Sequence, residues 1–356
     1  MADRDTERCL QNGQGPSVTV LITVHNGLPY LESALRSVMG QSLRDIEIIV
    51  VDDASTDGTP DLLKTLAAED TRLRVLRLDD NLGAYGAANR GLEMARGDYI
   101  ARMDADDLSE PERLEVQKAH LEAHPEQVLV GSSVQRITAD GRLRQVELRA
   151  LDPFQVRWQA RLNMPLFHPT YMFRRLAADG TALRYRTDRI AQDYAFCVDA
   201  LAHGDVASLA PPLVRYREHD GSMTLTRRKA QDAAGRGIAE AFQAGDLPPD
   251  LCRAMIPVMD AIYELDKPID AFGIFRGMRR LIAHTRASRP DQIEWMRQHT
   301  GVLFRYVFTL RTPSPKRMWL SFALNGPDFI APYLRHLKTY EQARRDVAVP
   351  ELENAL

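Results

Sequence analysis

The chain has 356 residues, a formal net charge of −3 at pH 7 and three cysteines. Its 49 acidic and 46 basic residues nearly balance, so the composition carries no basic footprint for nucleic acid. Cys9, Cys197 and Cys252 are too widely spaced for a disulfide framework or a CxxC metal knuckle. These features favour a globular protein in a reducing compartment, large enough for more than one domain.

Residues 1–16 are polar and lack the apolar core of a signal peptide, so we expect a flexible N-terminus. No uncharged apolar run approaches the roughly 18 residues that a membrane span needs. We therefore expect a cytoplasmic protein, and peripheral association with the inner face of the membrane stays open.

Four apolar, β-prone runs alternate with helical patterns in the first part of the chain. The runs are 18–24, 46–51, 73–78 and 99–103. Helices are predicted between them: the first ends near Gly40, the second has Thr59 as its N-cap, and the third covers 84–95. This alternation predicts an α/β fold with a mostly parallel, right-handed sheet flanked by helices.

Polar residues follow each predicted strand, at the edge where parallel sheets bind ligands. They are His25, Asn26, Asp52, Asp53, Asn81, Gly83, Asp104, Asp106 and Asp107. Their convergence predicts a ligand site at this edge of the sheet. Two familiar nucleotide sites are excluded, because the first turn lacks the GxGxxG of a dinucleotide fold and no P-loop motif occurs.

The segment Asp104-Ala105-Asp106-Asp107 places three carboxylates in the short turn after the fourth strand. Carboxylates this close raise one another's pKa unless a cation lies among them. Mn²⁺ or Mg²⁺ takes oxygen ligands and would bring a substrate's phosphates with it, whereas the alternative is a solvated acidic loop. Ser109 and Glu112 have capping-box spacing, which predicts that a helix starts there.

Five segments carry recognisable motifs: 19–26, 50–59, 81–83, 89–91 and 104–107. Taken together, they resemble glycosyltransferase family two. The order and spacing of these motifs match the family over roughly the first 220 residues. The resemblance implies the GT-A fold and a nucleotide-sugar donor.

The resemblance also implies roles for individual residues. Thr23 and His25 would flank the base and ribose of the donor, and Asp53 would accept a hydrogen bond from the pyrimidine N–H. Asp104 would reach the ribose or the metal, and Asp106 would bind the metal. Three further residues are assigned to the donor site from the same motifs: Asn26, Gly83 and Asn89.

Residues 190–197 contain Gln192-Asp193 where the family has a Glu-Asp pair, whose Asp is the catalytic base of inverting members. Asp193 matches that Asp, and Gln192 replaces the Glu. An exposed Asp, with a pKa near 3.9, is already ionised at neutral pH, as a base must be. The alternative is that Asp193 only caps the helix running to Leu201.

Two other segments belong to the resemblance. Residues 167–175 are similar to the family's HPT…FRR segment on the acceptor side, so His168 has either a site role or a structural one. Residues 213–222 resemble the closing YRxHxxS segment. This implies His219 as a further metal ligand and Arg215 or Arg217 as counter-charges for the diphosphate. A solvated basic loop is the alternative for that segment.

The remainder of the chain is organised more simply. Residues 127–137 and 143–148 flank Ala139-Asp140-Gly141 and predict a β-hairpin. Beyond residue 225 prolines divide a helical region, so we expect a catalytic domain over 17–225 and a helical region over 226–356. An apolar stripe along 271–282, with three arginines beside it, indicates core packing or, alternatively, a membrane-surface helix.

The sequence therefore predicts an inverting, metal-dependent glycosyltransferase of the hexosyl or N-acetylhexosaminyl type. The donor would be a nucleoside-diphosphate sugar, with UDP favoured, and the acceptor a hydroxyl of a glycan or lipid-linked saccharide. Two alternatives stay open: a sugar-1-phosphate nucleotidyltransferase on a similar sheet, and a nucleotide-sugar-binding protein without turnover.

Overall fold

The structure is a computed structural model that describes residues 15–187, 190–219, 228–264 and 270–311. The chain divides into two compact units. The first contains the residues up to 228 except 161–163, and the second contains 161–163 and the residues from 229 onward.

Nine strands form a single sheet in the first unit. They are β1 (Val18–Val24), β2 (Ile46–Asp52), β3 (Leu73–Arg77), β4 (Tyr99–Asp104), β5 (Leu108–Ser109), β6 (Gln127–Thr138), β7 (Leu143–Glu147), β8 (Met172–Arg174) and β9 (Asp205–Glu218). Their order is β3-β2-β1-β4-β8-β6-β9-β5, with β7 paired to β6. The sheet is mixed, because β8 runs antiparallel to both β4 and β6.

Ten helices occur in the described residues. They are α1 (Leu31–Met39), α2 (Thr59–Glu69), α3 (Gly83–Met94), α4 (Arg113–Ala123), α5 (Pro153–Ala160), α6 (Gln192–Ala200), α7 (Arg228–Asp246), α8 (Pro249–Tyr263), α9 (Ala271–Arg286) and α10 (Ile293–Arg311). Short 3-10 turns lie at His168–Thr170 and Pro290–Gln292.

The parallel half of the sheet confirms the predicted alternation of strands and helices. β1 pairs in parallel with both β2 and β4, and β2 pairs in parallel with β3. All residues of β1 and β2 are buried, as their continuous apolar runs require when helices cover both faces. The register places Thr23 opposite Asp104 and Val24 opposite Asp52, so the carboxyl ends of β1, β2 and β4 meet at one rim.

The predicted capping box is wrong. Ser109 belongs to β5, which pairs with β9, and α4 begins four residues later at Arg113 with Glu112 as its N-cap. The Ser109 hydroxyl instead accepts a hydrogen bond from the Gln41 side chain at 3.1 Å. Pairing with a strand from another part of the chain has overridden the local helix signal.

The predicted hairpin is confirmed, since β6 and β7 pair antiparallel around the turn at residues 139–141. The basic residues from Leu213 to Glu218 form the end of the long strand β9, so the alternative of a solvated loop is wrong for this part of the segment. It lies beside β5, with Arg215 opposite Leu108.

The second unit is helical within its described ranges. The stripe on α9 packs in the core of this unit, with Ile274, Phe275, Met278 and Leu281 at most 2% exposed. A Cβ at Gly277 would lie 2.4 Å from the Ala254 carbonyl oxygen, so α8 and α9 pack closely. No helix of the described residues is long and apolar enough to cross a membrane. Of the prolines predicted to divide this region, Pro268, Pro313 and Pro315 lie outside the described residues.

Candidate active site

Three carboxylates converge in the turn that follows β4. Asp104, Asp106 and Asp107 can place one carboxylate oxygen each within 4.8 Å of one another. Burial and the charge of Asp104 raise the pKa of Asp106, although contact with His219 opposes the rise. Burial and the charges of both neighbours raise the pKa of Asp107 well above its ordinary value. The turn is therefore strained electrostatically when all three groups are ionised.

His219 joins this cluster from the end of β9. Its Nε2 lies 2.8 Å from Oδ2 of Asp106, and its ring centroid is 4.9 Å from that of Tyr30. The structure thus brings together the three residues that were predicted as metal ligands, although 113 residues separate Asp106 from His219 in the chain.

Arg217 on β9 is hydrogen-bonded to the acidic turn. Its main-chain N–H donates to Oδ1 of Asp107 at 2.8 Å, and its Nε donates to the Asp106 carbonyl at 2.7 Å. Arg215 is occupied elsewhere, because it forms an ion pair with Glu110 at 2.6 Å. Of the two arginines predicted to face a diphosphate, one therefore supports the acidic turn and the other ties β9 to the segment after β5.

The acidic turn suits a divalent cation. Oδ2 of Asp107 is buried and has no hydrogen-bond partner in the part of the chain that the structure describes. A buried acceptor without a donor is unfavourable, and a metal ion would satisfy it together with the neighbouring carboxylates. Oxygen donors of this kind are the ligands preferred by Mg²⁺ and Mn²⁺.

Two buried arginines support the end of β4, and neither was singled out from the sequence. Arg102 on β4 donates to the Thr23 hydroxyl at 2.9 Å and pairs with Oδ1 of Asp104 at 3.0 Å. Arg113 on α4 donates to the Arg102 carbonyl at 2.7 Å. A charged residue in an apolar strand two positions before an acidic turn was the available signal, since buried charges need partners.

Residues at the ends of β1 and β2 form the neighbouring part of the rim. Oδ1 of Asp53 accepts a hydrogen bond from the Leu82 N–H at 2.7 Å, so this carboxylate holds the loop that follows β3. Nδ1 of His25 lies 2.8 Å from the Asp53 carbonyl oxygen. Thr23, His25 and Asp53 are therefore adjacent, and their contacts with a nucleotide stay a prediction.

The other residues assigned to the donor site have contacts within the protein. Asn26, with φ +54°, accepts hydrogen bonds from the Thr56 and Asp57 N–H groups through Oδ1. The side-chain amide of Asn89 pairs at both ends with the main chain of Tyr185, at 2.8 and 2.9 Å. Gly83 begins α3 with φ +74°, a conformation that favours glycine. Asn26 and Asn89 thus position loops around the rim.

Asp193 is the second residue of α6, and the helix N-cap is Ala191, so the interpretation of Asp193 as an N-cap is wrong. It is also not an ordinary exposed Asp. Burial raises its pKa, the Tyr194 N–H hydrogen bond to Oδ1 lowers it, and the charge of Asp104 raises it further. Tyr171 links Asp193 to the strand that carries the acidic turn, because its carbonyl accepts from the Arg102 N–H at 2.8 Å and its hydroxyl donates to the Asp193 carbonyl at 3.2 Å.

An aromatic cluster packs against Tyr171, whose hydroxyl donates to the Asp193 carbonyl. Nε2 of His168 is 2.8 Å from the Tyr185 hydroxyl, and burial lowers the pKa of His168 to about 3. His168 is therefore neutral and has a structural partner at physiological pH. Tyr85 and Tyr185, which come from α3 and from the loop before α6, were not singled out from the sequence.

Comparison with known proteins agrees with this architecture. Residues 19–181 match the profile described as "Glycosyl transferase family 2". The succinoglycan biosynthesis protein ExoO of Rhizobium meliloti (strain 1021) is 31% identical over 241 residues, which cover 64% of this chain and 68% of that protein.

Two solved structures share the fold at low sequence identity. S. aureus TarS 1-349 in complex with UDP-GlcNAc has a TM-score of 0.56 at 17% identity, with 92% of each chain covered. The mannosyltransferase PcManGT from Pyrobaculum calidifontis in complex with GDP-Man and Mn²⁺ has a TM-score of 0.51 at 19% identity. That match covers 99% of this chain and 94% of the other.

The fold is thus that of a GT-A glycosyltransferase. The chain belongs to glycosyltransferase family 2.

Proposed function

We propose that this chain is an inverting, metal-dependent glycosyltransferase that uses a UDP-linked sugar and glycosylates a hydroxyl of a glycan or lipid-linked saccharide. One observation carries the proposal. An acidic cluster with an adjacent His219 lies at the end of β4, and Tyr171 hydrogen-bonds both to Arg102 of that strand and to the main chain of the partly buried Asp193. We further propose that residues 17–225 form the catalytic domain and 226–356 a helical region.

Donor binding is assigned to the rim formed by β1 and β2. Thr23 and His25 would flank the base and ribose, and Asp53 would accept the imide N–H of uracil, with Asn26, Gly83 and Asn89 shaping the loops around them. The UDP-GlcNAc complex of TarS supports a uridine nucleotide. The name of ExoO supports an acceptor in polysaccharide biosynthesis.

Asp104, Asp106 and His219 would hold Mn²⁺ or Mg²⁺, and the unpartnered Oδ2 of Asp107 lies beside them. A bound divalent ion would neutralise charge on the leaving diphosphate. The Mn²⁺ complex of PcManGT supports a metal of this class. The protein's own contribution is to hold the acidic residues in place through Arg102 and Arg217.

Asp193 would accept the proton of the acceptor hydroxyl as that oxygen attacks the anomeric carbon. The bond from the hydroxyl oxygen to the anomeric carbon forms while the bond to the diphosphate oxygen breaks. Attack from the face opposite the leaving group inverts the anomeric configuration. The raised pKa of Asp193 makes it a stronger base than an exposed Asp.

The two alternatives have less support. A nucleotidyltransferase would need a Gly-rich, Arg-containing first loop, and residues 25–30 lack one. A binding protein without turnover rests only on Gln192, which is buried at the start of α6 and leaves Asp193 in place.

A thermal-shift screen of nucleotide sugars, with and without Mn²⁺, tests the donor and the metal. At a hundredfold excess over Kd, the correct donor should add roughly 2.7 kcal/mol of stability. NMR of the product should then show inverted anomeric configuration. A retained configuration, or equal stabilisation without metal, would contradict the proposal.

A further inference from the structure

Three aromatic side chains pack together beside α6, the helix that carries Asp193. This aromatic wall consists of Tyr85, His168 and Tyr185. The Tyr85 ring lies 5.4 Å from the Tyr185 ring and 6.0 Å from the His168 ring, measured between centroids. The wall joins α3 to two segments that are remote in the sequence, so it exists only in the folded unit.

Hydrogen bonds and ring contacts connect the aromatic wall to residues with proposed roles. Tyr185 hydrogen-bonds to His168, and its ring stacks on Phe196 of α6, the helix that carries Asp193, at 4.5 Å. The Tyr185 main chain is fixed by Asn89. Arg102 interacts with the Tyr185 side chain and pairs with Asp104.

The hydroxyl of Tyr85 differs from those of its neighbours. The Tyr185 hydroxyl is paired with His168, and the Tyr171 hydroxyl donates to the Asp193 carbonyl at 3.2 Å. Tyr85 is partly exposed, and its hydroxyl forms no hydrogen bond to any residue in the described ranges. After burial, the charges of Asp193 and then Asp104 raise its pKa, so both carboxylates act on it and it stays protonated at neutral pH.

We propose that Tyr85 is a specificity-determining residue whose hydroxyl hydrogen-bonds to the sugar being transferred. The inference rests on the proposed function. If Asp104 lies on the diphosphate side and Asp193 on the acceptor side, the transferred sugar must occupy the space between them. Tyr85 has the one hydroxyl of the three tyrosines named above that lacks a partner among the described residues. Its ring contacts His168, which packs on Tyr171 beside Asp193, and Tyr185, which lies next to Arg102, the partner of Asp104.

The test distinguishes a contact with the sugar from a contact with the nucleotide. Tyr85→Phe keeps the ring that packs on Tyr185 and removes only the hydroxyl. Calorimetry would give Kd for UDP and for UDP-N-acetylglucosamine, UDP-glucose and UDP-galactose, all with Mn²⁺. The matched control is Tyr99→Phe, since Tyr99 sits at the amino end of β4, where its hydroxyl accepts from Arg174 at 3.3 Å.

We expect Tyr85→Phe to leave the Kd of UDP within a factor of two. It should raise the Kd of at least one nucleotide sugar about three- to tenfold, the size of one lost hydrogen bond. Tyr99→Phe should leave the Kd of every ligand unchanged. Unchanged ratios of nucleotide-sugar to UDP affinity in Tyr85→Phe would overturn the inference. A wild-type protein that binds none of the four ligands would instead overturn the proposed function.

Discussion

Replacing Asp106 with Asn should stabilise the metal-free protein while removing its response to metal. Asp106 lies in a cluster whose carboxylate oxygens approach within 4.8 Å. Two unit charges at that separation repel by about 3.5 kcal/mol at an effective dielectric constant of about 20. Asn is almost the same size but carries no charge, so the substitution removes this repulsion from both neighbours.

The direction of this stability change follows from the pKa of Asp106, which is raised in the folded state. An acid with a raised folded pKa destabilises the fold when it is ionised. The destabilisation is present at pH 7 and disappears as the pH falls below the unfolded pKa. The side chain is 34% exposed and solvent screens part of the repulsion. We therefore expect Asp106→Asn to gain only about 1–2 kcal/mol without metal.

Urea unfolding at pH 7, with and without Mn²⁺, measures both effects. Mn²⁺ should stabilise the wild type, roughly 2.7 kcal/mol at a hundredfold excess over Kd, and leave Asp106→Asn unchanged. The matched control is Asp98→Asn, because the Asp98 side chain is 81% exposed and lies outside the cluster. A metal-free Asp106→Asn protein less stable than wild type, or one that Mn²⁺ still stabilises fully, would refute this reasoning.

Two further predictions concern the base and the nucleotide. A base must be ionised, so kcat should fall as the pH is lowered through the pKa of Asp193. Burial raises that pKa. A pH–rate profile should place the midpoint above the roughly 3.9 of an exposed Asp, and a lower midpoint would argue against Asp193. Asp53→Ala should weaken UDP binding by about 1.5–3 kcal/mol, the worth of a charge-assisted hydrogen bond. Asp53 also accepts a hydrogen bond from the Leu82 N–H, so the decisive comparison in calorimetry is with ADP, whose base has no imide N–H. An equal loss of affinity for both nucleotides would show that Asp53 does not recognise the base.

The parallel half of the fold could be predicted because its signals are local. Strand β1 was predicted with the bounds that the structure has, and β2 and β4 each extend one residue further, to Asp52 and Asp104. Continuous apolar runs bounded by polar turns are sufficient where both faces of a strand are buried. The order of β8, β6 and β9 depends on pairings between distant segments, and no local pattern encodes those pairings. Ser109 illustrates the point, since its partner Val214 lies far along the chain.

The residues of the site likewise fall into those that a local pattern predicts and those that only the fold brings together. The acidic turn was predictable because its three carboxylates lie within four residues of the chain, and the motif near the end of β9 supplied His219, which the structure places against Asp106. Burial of Asp193 was not predictable, because it comes from the packing of α6 against the rest of the unit. Tyr85 and Tyr185 meet across the fold, and neither belongs to a motif, so only the structure brings them together.

The central claim is that Asp193 is the base of an inverting glycosyl transfer, and the turnover of Asp193→Asn tests it most directly. The carboxylate is needed in the transition state and hardly at all for ground-state binding. We predict that the variant keeps nucleotide-sugar and Mn²⁺ affinity within about a factor of three of wild type, while kcat falls by about 10² or more, the effect expected for a lost general base. Near-normal turnover in Asp193→Asn, with donor and metal still bound, would contradict the account.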